Sequence, residues 1–240
     1  KIDFVIINGE NAADSGVGIS KKNTEDFFNA GTDVITSGNH IWDQKEIIPY
    51  MDSGIPLIRR ANYPDAPGSG CFVTGDLLVV SLMGRVFMPT LDCPFRTVDK
   101  LLAQMTTDHS YKATVVDFHA EATSEKQAMG WYLDGRVSAV LGTHTHVGTV
   151  DARVLTNGTG FVTDVGMTGP HDSIIGVHTG PALQRFLNGM PSRFETATAN
   201  PRLNGVIITA DDVTGRAAGI VRVNVSAESL ETSSTELVST

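Results

Sequence analysis

With Cys71 and Cys93 as its only thiols in 240 residues, and neither in a CxxC pair, the chain cannot be a disulfide framework or a zinc ribbon. That usage points to reduced thiols in a cytoplasmic protein. No apolar run approaches the roughly 20 residues needed to cross a bilayer, so no membrane partner is expected. Basic residues are scarce: 18 Lys and Arg against 27 Asp and Glu leave a net charge of −9. A surface of that sign repels a nucleic-acid backbone, which argues against extended nucleic-acid binding. A small phosphate ester can still bind where metal ions reverse the local sign. The sequence has no P-loop, no GxGxxG after a strand, no serine-nucleophile elbow and no HExxH helix. The missing HExxH weakens a zinc amidohydrolase reading in particular.

What is present is ordinary globular material, 41% hydrophobic and 19% charged. The opening Lys1-Ile2-Asp3-Phe4-Val5-Ile6-Ile7 reads as a strand already under way, with no signal-peptide pattern. Residues 3–8 form an apolar strand. Ser20 then suits an N-cap, for a helix carried by Thr24 to Ala30 and stopped at Gly31. Asp33 to Ser37 reads as the next strand and Asp43 to Met51 as the next helix. Strand and helix alternating at this spacing imply βαβ units and a mainly parallel sheet. Residues 60–76, rich in Pro, Gly and Asp, read as a long surface loop.

Leu77–Leu82, Ala113–Phe118 and Ser138–Leu141 continue the strands, with helices over Thr97–Met105 and Thr123–Leu133 between them. Phe161–Thr163 is a further strand. Gly205–Thr209 and Gly219–Val223, split by Asp-Asp and Thr-Gly turn chemistry, form a hairpin. The expectation is one α/β domain over residues 1–240, a sandwich of two mixed sheets flanked by helices, with 226–240 a fraying polar tail.

Four of the seven histidines lie just past apolar, β-branched runs: His40 after Gly38-Asn39, His119 after Asp117-Phe118, and His144 and His146 in Thr143-His144-Thr145-His146. Ends of adjacent strands in an α/β sheet converge on one crevice. Imidazoles gathered there with an amide and a carboxylate suit a transition metal. Glu10 supplies the carboxylate, following Phe4-Val5-Ile6-Ile7-Asn8-Gly9 with no basic residue near it in sequence to pair with. Singly, each has a plainer explanation: a hydrogen-bonded histidine, or an asparagine that suits a turn. The plain explanations weaken together because several strand ends carry matching donors.

The order Gly9-Glu10-Asn11, Gly38-Asn39-His40, His119 and Gly142-Thr143-His144-Thr145-His146 resembles the calcineurin-like metallophosphoesterases, whose pattern runs Asp-x-His, Gly-Asp, Gly-Asn-His, His, Gly-His-x-His. More narrowly, Asn8–Ala13, Thr36–Asp43, Asp117–Lys126, Gly142–Val147 and Thr163–Pro170 are similar to the YmdB-like branch, bacterial phosphodiesterases acting on 2′,3′-cyclic nucleotides. The resemblance covers residues 3–225. It implies a metallophosphoesterase-type sandwich, a homo-oligomer with the Gly166–Ile175 loop as a candidate contact, and a centre holding two metal ions. Glu10 matches the bridging carboxylate. Asn39, His119 and His144 match the ligands of one metal, and His146, with the amide of Asn11, those of the other. His40 matches the residue that protonates the leaving oxygen.

The implied reaction is hydrolysis of a small cyclic phosphodiester by a hydroxide activated between the metals. Carboxylate, amide and imidazole donors suit iron, manganese or zinc without selecting among them. Glu10 stands where the wider family has aspartate, and Thr143 precedes His144 where that family has another pattern; the narrow branch shares both features. The family's first strand, ending in a metal-ligating aspartate, would precede Lys1, so the domain is expected to lack it in the residues given. A non-catalytic nucleotide- or partner-binding protein on the same fold is the competing reading.

Other candidates carry less. His171 and His178 could line a substrate pocket or meet a neighbouring subunit, though ordinary loop histidines explain them as well. His109 reads as exposed and Asp164 as a turn residue. Arg59-Arg60 could greet a substrate phosphate or simply cap strand 57–59.

Overall fold

The computed structural model describes residues 1–108 and 111–229. His109 and residues 230–240 of the polar tail lie outside the described residues. In chain order the elements are β1 (Ile6–Asn8), α1 (Lys21–Asn29), β2 (Val34–Thr36), α2 (Ile47–Met51), β3 (Cys71–Thr74), β4 (Leu77–Met83), α3 (Pro94–Asp108), β5 (Ala113–His119), α4 (Thr123–Tyr132), β6 (Ala139–Thr143), β7 (Arg153–Val154), β8 (Gly160–Val162), β9 (Gly169–Pro170), α5 (Thr179–Asn188), β10 (Pro201–Ala210) and β11 (Ala217–Ser226).

The strands form a six-stranded sheet ordered β3-β4-β5-β6-β8-β7, an antiparallel trio β11-β10-β9 and a parallel pair β1-β2. In the large sheet β4, β5, β6 and β8 run parallel, and the edges β3 and β7 are antiparallel.

Side-chain alternation decides what each face meets. Leu78, Val80, Leu82, Val116, Phe118 and Val140 point one way and pack on Val98 of α3 and on Met129 and Leu133 at α4. The intervening Leu77, Val79, Val115 and Ala139 point the other way, against Val34 of β2 and Ile208 of β10. Ile35, on the far side of β2, packs with Ile47, Met51 and the phenyl rings of α1. The layers therefore run α3/α4, six-stranded sheet, the smaller sheets, then α1/α2. This is an α/β sandwich with sheets inside and helices outside.

Local chemistry fixes the element ends. Ser20 caps α1 reciprocally with Asn23, its hydroxyl accepting the Asn23 backbone N–H at 3.1 Å. Asp211 accepts the N–H groups of Val213 and Thr214, which turns the chain between β10 and β11.

The structure departs from the sequence pattern in several places. Helix α2 starts at Ile47 rather than Asp43, because Asp43 is engaged by His40 and the Gln44 amide bonds Ser15 and Val17. The stretch 60–76, expected as a surface loop, contains β3, whose Cys-Phe-Val-Thr pairs with β4 from Cys71↔Val80 to Thr74↔Leu77. Within that stretch Arg60 and Asn62 are buried. Helix α5 and the short strands β7 and β9 are not legible in the pattern.

Candidate metal centre

Parallel pairing brings strand ends together: Asn8 of β1 lies opposite Thr36 of β2, and His119 of β5 opposite Thr143 of β6. The residues just beyond those ends are Glu10, Asn39 and His144. Glu10, His119 and His144 offer ligand atoms that all lie within 4.8 Å of one another, a metal-ligand group found among the described residues. His119 Nε2 is its middle. Glu10 Oε1 lies 3.0 Å from it, Asn39 Oδ1 3.0 Å and His144 Nδ1 3.1 Å. The Asn39 backbone N–H donates to Glu10 Oε1 at 2.8 Å. Gly38 permits this approach, since a β-carbon there would sit 2.0 Å from Glu10 Oε1.

Asn11 and His146 form a separate pair, Nδ2 to Nε2 at 3.4 Å, and Asn11 Oδ1 is buried without a hydrogen-bond partner. His40 stands apart from the cluster contacts, its Nδ1 2.7 Å from Asp43 Oδ2.

The far side of each ring sets its tautomer. His119 Nδ1–H donates to the Thr143 hydroxyl at 2.9 Å, and that hydroxyl donates to Asp117 Oδ1 at 2.7 Å. His144 Nε2 faces Glu121 Oε2 at 3.1 Å, and His146 Nδ1 donates to the Ile175 carbonyl at 3.0 Å. Each ring spends its N–H on an outer acceptor, which leaves a lone pair facing inward. This is the arrangement that orients metal-binding imidazoles.

Burial pushes His119 down to about 4, with the nearby Arg60 charge adding to the effect. Burial alone would raise Glu10; the adjoining His119 ring outweighs that, aided by the Arg60 charge and by His144, and holds it at about 2. Near neutral pH a carboxylate oxygen, an amide oxygen and two imidazole lone pairs thus face one another at 3 Å with no hydrogen between them. Such a set of acceptors fits a cation, and the orphaned Asn11 oxygen fits one too. His144 and His146 also hold left-handed backbone angles, φ 102° and 66°, of the kind that collects at functional sites.

Sequence reasoning missed the supports. Asp117 is buried beneath the cluster and accepts from Thr143, from Thr36, from Asn8 Nδ2 at 2.9 Å and from Arg60, 3.2 Å away. Arg60 is fully buried, so it does not greet a phosphate, and Arg59 bonds the carbonyls of Ala66 and Pro67. Asp164 pairs with buried Lys126 at 2.7 Å and accepts the backbone and side chain of Thr145, between the two loop histidines. It anchors that loop. His171 bonds Asn204 at 2.9 Å, and His178 is exposed where α5 begins.

A carboxylate inside Thr-Val-Val-Asp-Phe-His is the available signal for Asp117, because a buried charge demands partners. Asp117→Asn keeps the shape but removes the charge opposite Arg60. It should cost about 1–3 kcal/mol of stability and roughly 10–100-fold in metal affinity, read by urea denaturation and metal titration.

A pH effect follows from His119. The unfolded chain takes a proton near 6.5 that the folded chain refuses until about 4. Stability is therefore complete above 6.5 and falls as the pH drops toward 4. Between pH 7 and 5 the chelator-treated protein should lose about 2 kcal/mol. A flat urea midpoint over that interval would contradict the burial argument.

Residues 1–223 match the family described as YmdB-like protein. The chain belongs to that family. It is 48% identical over 228 residues to the 2′,3′-cyclic-nucleotide 2′-phosphodiesterase of Bacillus subtilis, covering 93% of this chain and 85% of that one. A crystal structure of a hypothetical protein from Thermus thermophilus superposes with a TM-score of 0.86 at 44% identity, over 94% of this chain and 88% of the other. A crystal structure of a phosphatase from Mycoplasma pneumoniae gives 0.85 at 32% identity, over 93% and 82%. Family membership makes the chain an enzyme, a hydrolase, which sets the non-catalytic reading aside. Among the described residues no helix is long and apolar enough to cross a membrane.

Proposed function

We propose that the chain is a metal-dependent phosphodiesterase that opens 2′,3′-cyclic nucleotides at the 2′ oxygen. The observation that carries the reading is the set of lone pairs around His119 Nε2, supplied by Glu10, Asn39 and His144 at 3.0 to 3.1 Å. We assign these residues to one ion and His146 with Asn11 to a second, Glu10 serving both. Bound ions of this kind neutralise a phosphodiester anion and acidify water.

The chain's own residues do the rest. Water attacks phosphorus and gives up a proton to solvent, the bond to O2′ breaks, and protonated His40 delivers its proton to the departing oxygen. Asp43 fixes His40 through Nδ1, so Nε2 is the nitrogen that carries the transferred proton. Glu121, Thr143 and the Ile175 carbonyl keep the other rings in their binding tautomers.

The core shared between the six-stranded sheet and β2 and β10 is the reason to treat residues 1–225 as one catalytic domain. The homo-oligomer would use the Gly166–Ile175 loop, where Ile175 is exposed, and we add to that contact the exposed Leu183, Phe186 and Leu187 of α5. A monomer in sedimentation equilibrium would remove that last point.

The activity is tested by incubating the protein with manganese or ferrous iron and 2′,3′-cyclic AMP, following the product by ³¹P NMR. Formation of the 3′-monophosphate, abolished by chelator and restored by metal, is expected. Failure of the metal-loaded protein to cleave any phosphodiester would overturn the assignment.

A further inference from the structure

Phe87 has no packing reason to be where it is. Its ring is 88% exposed, and its backbone φ is 61°. The Met88 N–H reaches the Arg85 carbonyl at 3.4 Å, closing a tight turn with Phe87 at the third position. Glycine or asparagine is the ordinary choice there, because the left-handed angle crowds a β-carbon. An aromatic residue holds such an angle only where its surroundings impose it.

The residues just ahead of Phe87 are held in place. Glu125, buried in the first turn of α4, accepts the backbone N–H of Arg85 at 3.0 Å and that of Val86 at 3.2 Å. Gly84 makes room for that carboxylate, since a β-carbon would lie 2.4 Å from Glu125 Oε2. The turn is tied to the metal centre through the two residues that precede it. Met83 is in register with His119, and the Gly84 N–H donates to the His119 carbonyl at 2.9 Å. Phe87 follows three residues later, its Cα at most about 11 Å from that of Gly84.

The fold thus clamps a strained turn to the backbone of His119 and uses it to hold a bare phenyl ring in solvent. A flat apolar face on the loop that leaves β4 beside His119 fits a planar heteroaromatic group attached to a phosphate through a sugar. We infer that Phe87 is a stacking platform for the nucleobase of the substrate, a specificity contact outside the metal centre. The inference rests on the phosphodiesterase reading above and adds that the base is recognised by its π-face. Recognition of this kind tolerates every base.

The test compares 2′,3′-cyclic AMP with glycerol 1,2-cyclic phosphate, which has the same five-membered cyclic ester and no base. Phe87→Gly should raise KM for cyclic AMP about 5- to 100-fold, the range that loss of one stacked base produces. It should leave both constants for the glycerol ester within about 2-fold of wild type. Because glycine suits the angle, Tm should hold or rise, which separates the effect from misfolding. Phe87→Trp should restore the cyclic AMP value. Equal losses on both substrates, or no change on either, would overturn the inference. Calorimetric titration with 3′-AMP decides independently of turnover: Phe87→Gly should weaken binding by the same factor, and unchanged or undetectable binding in both proteins overturns it. Wild-type protein inactive on both esters that still binds 3′-AMP through Phe87 would sink the phosphodiesterase reading alone.

Discussion

Alanine in place of His119 should leave the protein without metal at the Glu10 group and lower kcat/KM on 2′,3′-cyclic AMP by about 10⁴-fold or more, the scale of losing the ions that polarise a phosphoryl group. His119 is fully buried, and its Nε2 is the atom that Glu10, Asn39 and His144 approach. Removing the ring deletes a donor and opens a space beside Glu10. It also unties Thr143, whose hydroxyl loses the Nδ1–H that fixes it toward Asp117. Glu10 would retain the Asn39 backbone N–H, too little to hold a carboxylate in place without the ring or a cation. Elemental analysis should show the metal gone, and circular dichroism should show the sheets retained. His119→Gln, which keeps volume and a carbonyl oxygen, should fold better than the alanine variant and still fail to bind metal tightly. A His119→Ala protein with full metal content and wild-type turnover would dismantle the centre as described.

How far the sequence reaches depends on how local the relevant physics is. The strands with long apolar runs, β4, β5 and β6, and the capped helix α1 are legible, because alternation and an N-cap act within a few residues. Glu10, His119 and His144 are legible only together, because each follows such a run and matching donors at several strand ends outweigh the plain explanation that one of them alone would have. Asp117 escapes notice although it lies in the same segment as His119. Its purpose is its contact with Arg60 and Thr143, 57 and 26 positions away, and no periodicity reports that. Arg60 is misread for the same reason. A Pro/Gly-rich neighbourhood reads as surface, yet the side chain runs inward to Ser81 at 2.8 Å and to Asp117. Phe87 is invisible, because a single aromatic in a loop has no meaning until its φ angle and exposure are known. The short strands β7 and β9 are made by pairing to neighbours rather than by their own two residues.

His40→Ala should separate proton delivery from metal binding. His40 makes its side-chain contact with Asp43, 2.7 Å from Nδ1, whereas the ligand contacts of Asn39 next to it run through that residue's own amide and backbone N–H. Truncating His40 should therefore leave metal content unchanged. On 2′,3′-cyclic AMP, kcat should fall by roughly 10²–10⁴-fold, because a ribose oxygen leaves poorly without a proton. On bis(p-nitrophenyl) phosphate the loss should be slight, since nitrophenolate departs unprotonated. Asp43→Asn keeps a hydrogen-bond acceptor but no negative charge beside the ring, and should fall between wild type and alanine on the cyclic nucleotide alone. A general acid predicts that contrast between leaving groups, and a residue that merely shapes the pocket does not. Equal losses on the two esters, or metal lost along with His40, would remove His40 from the chemical step.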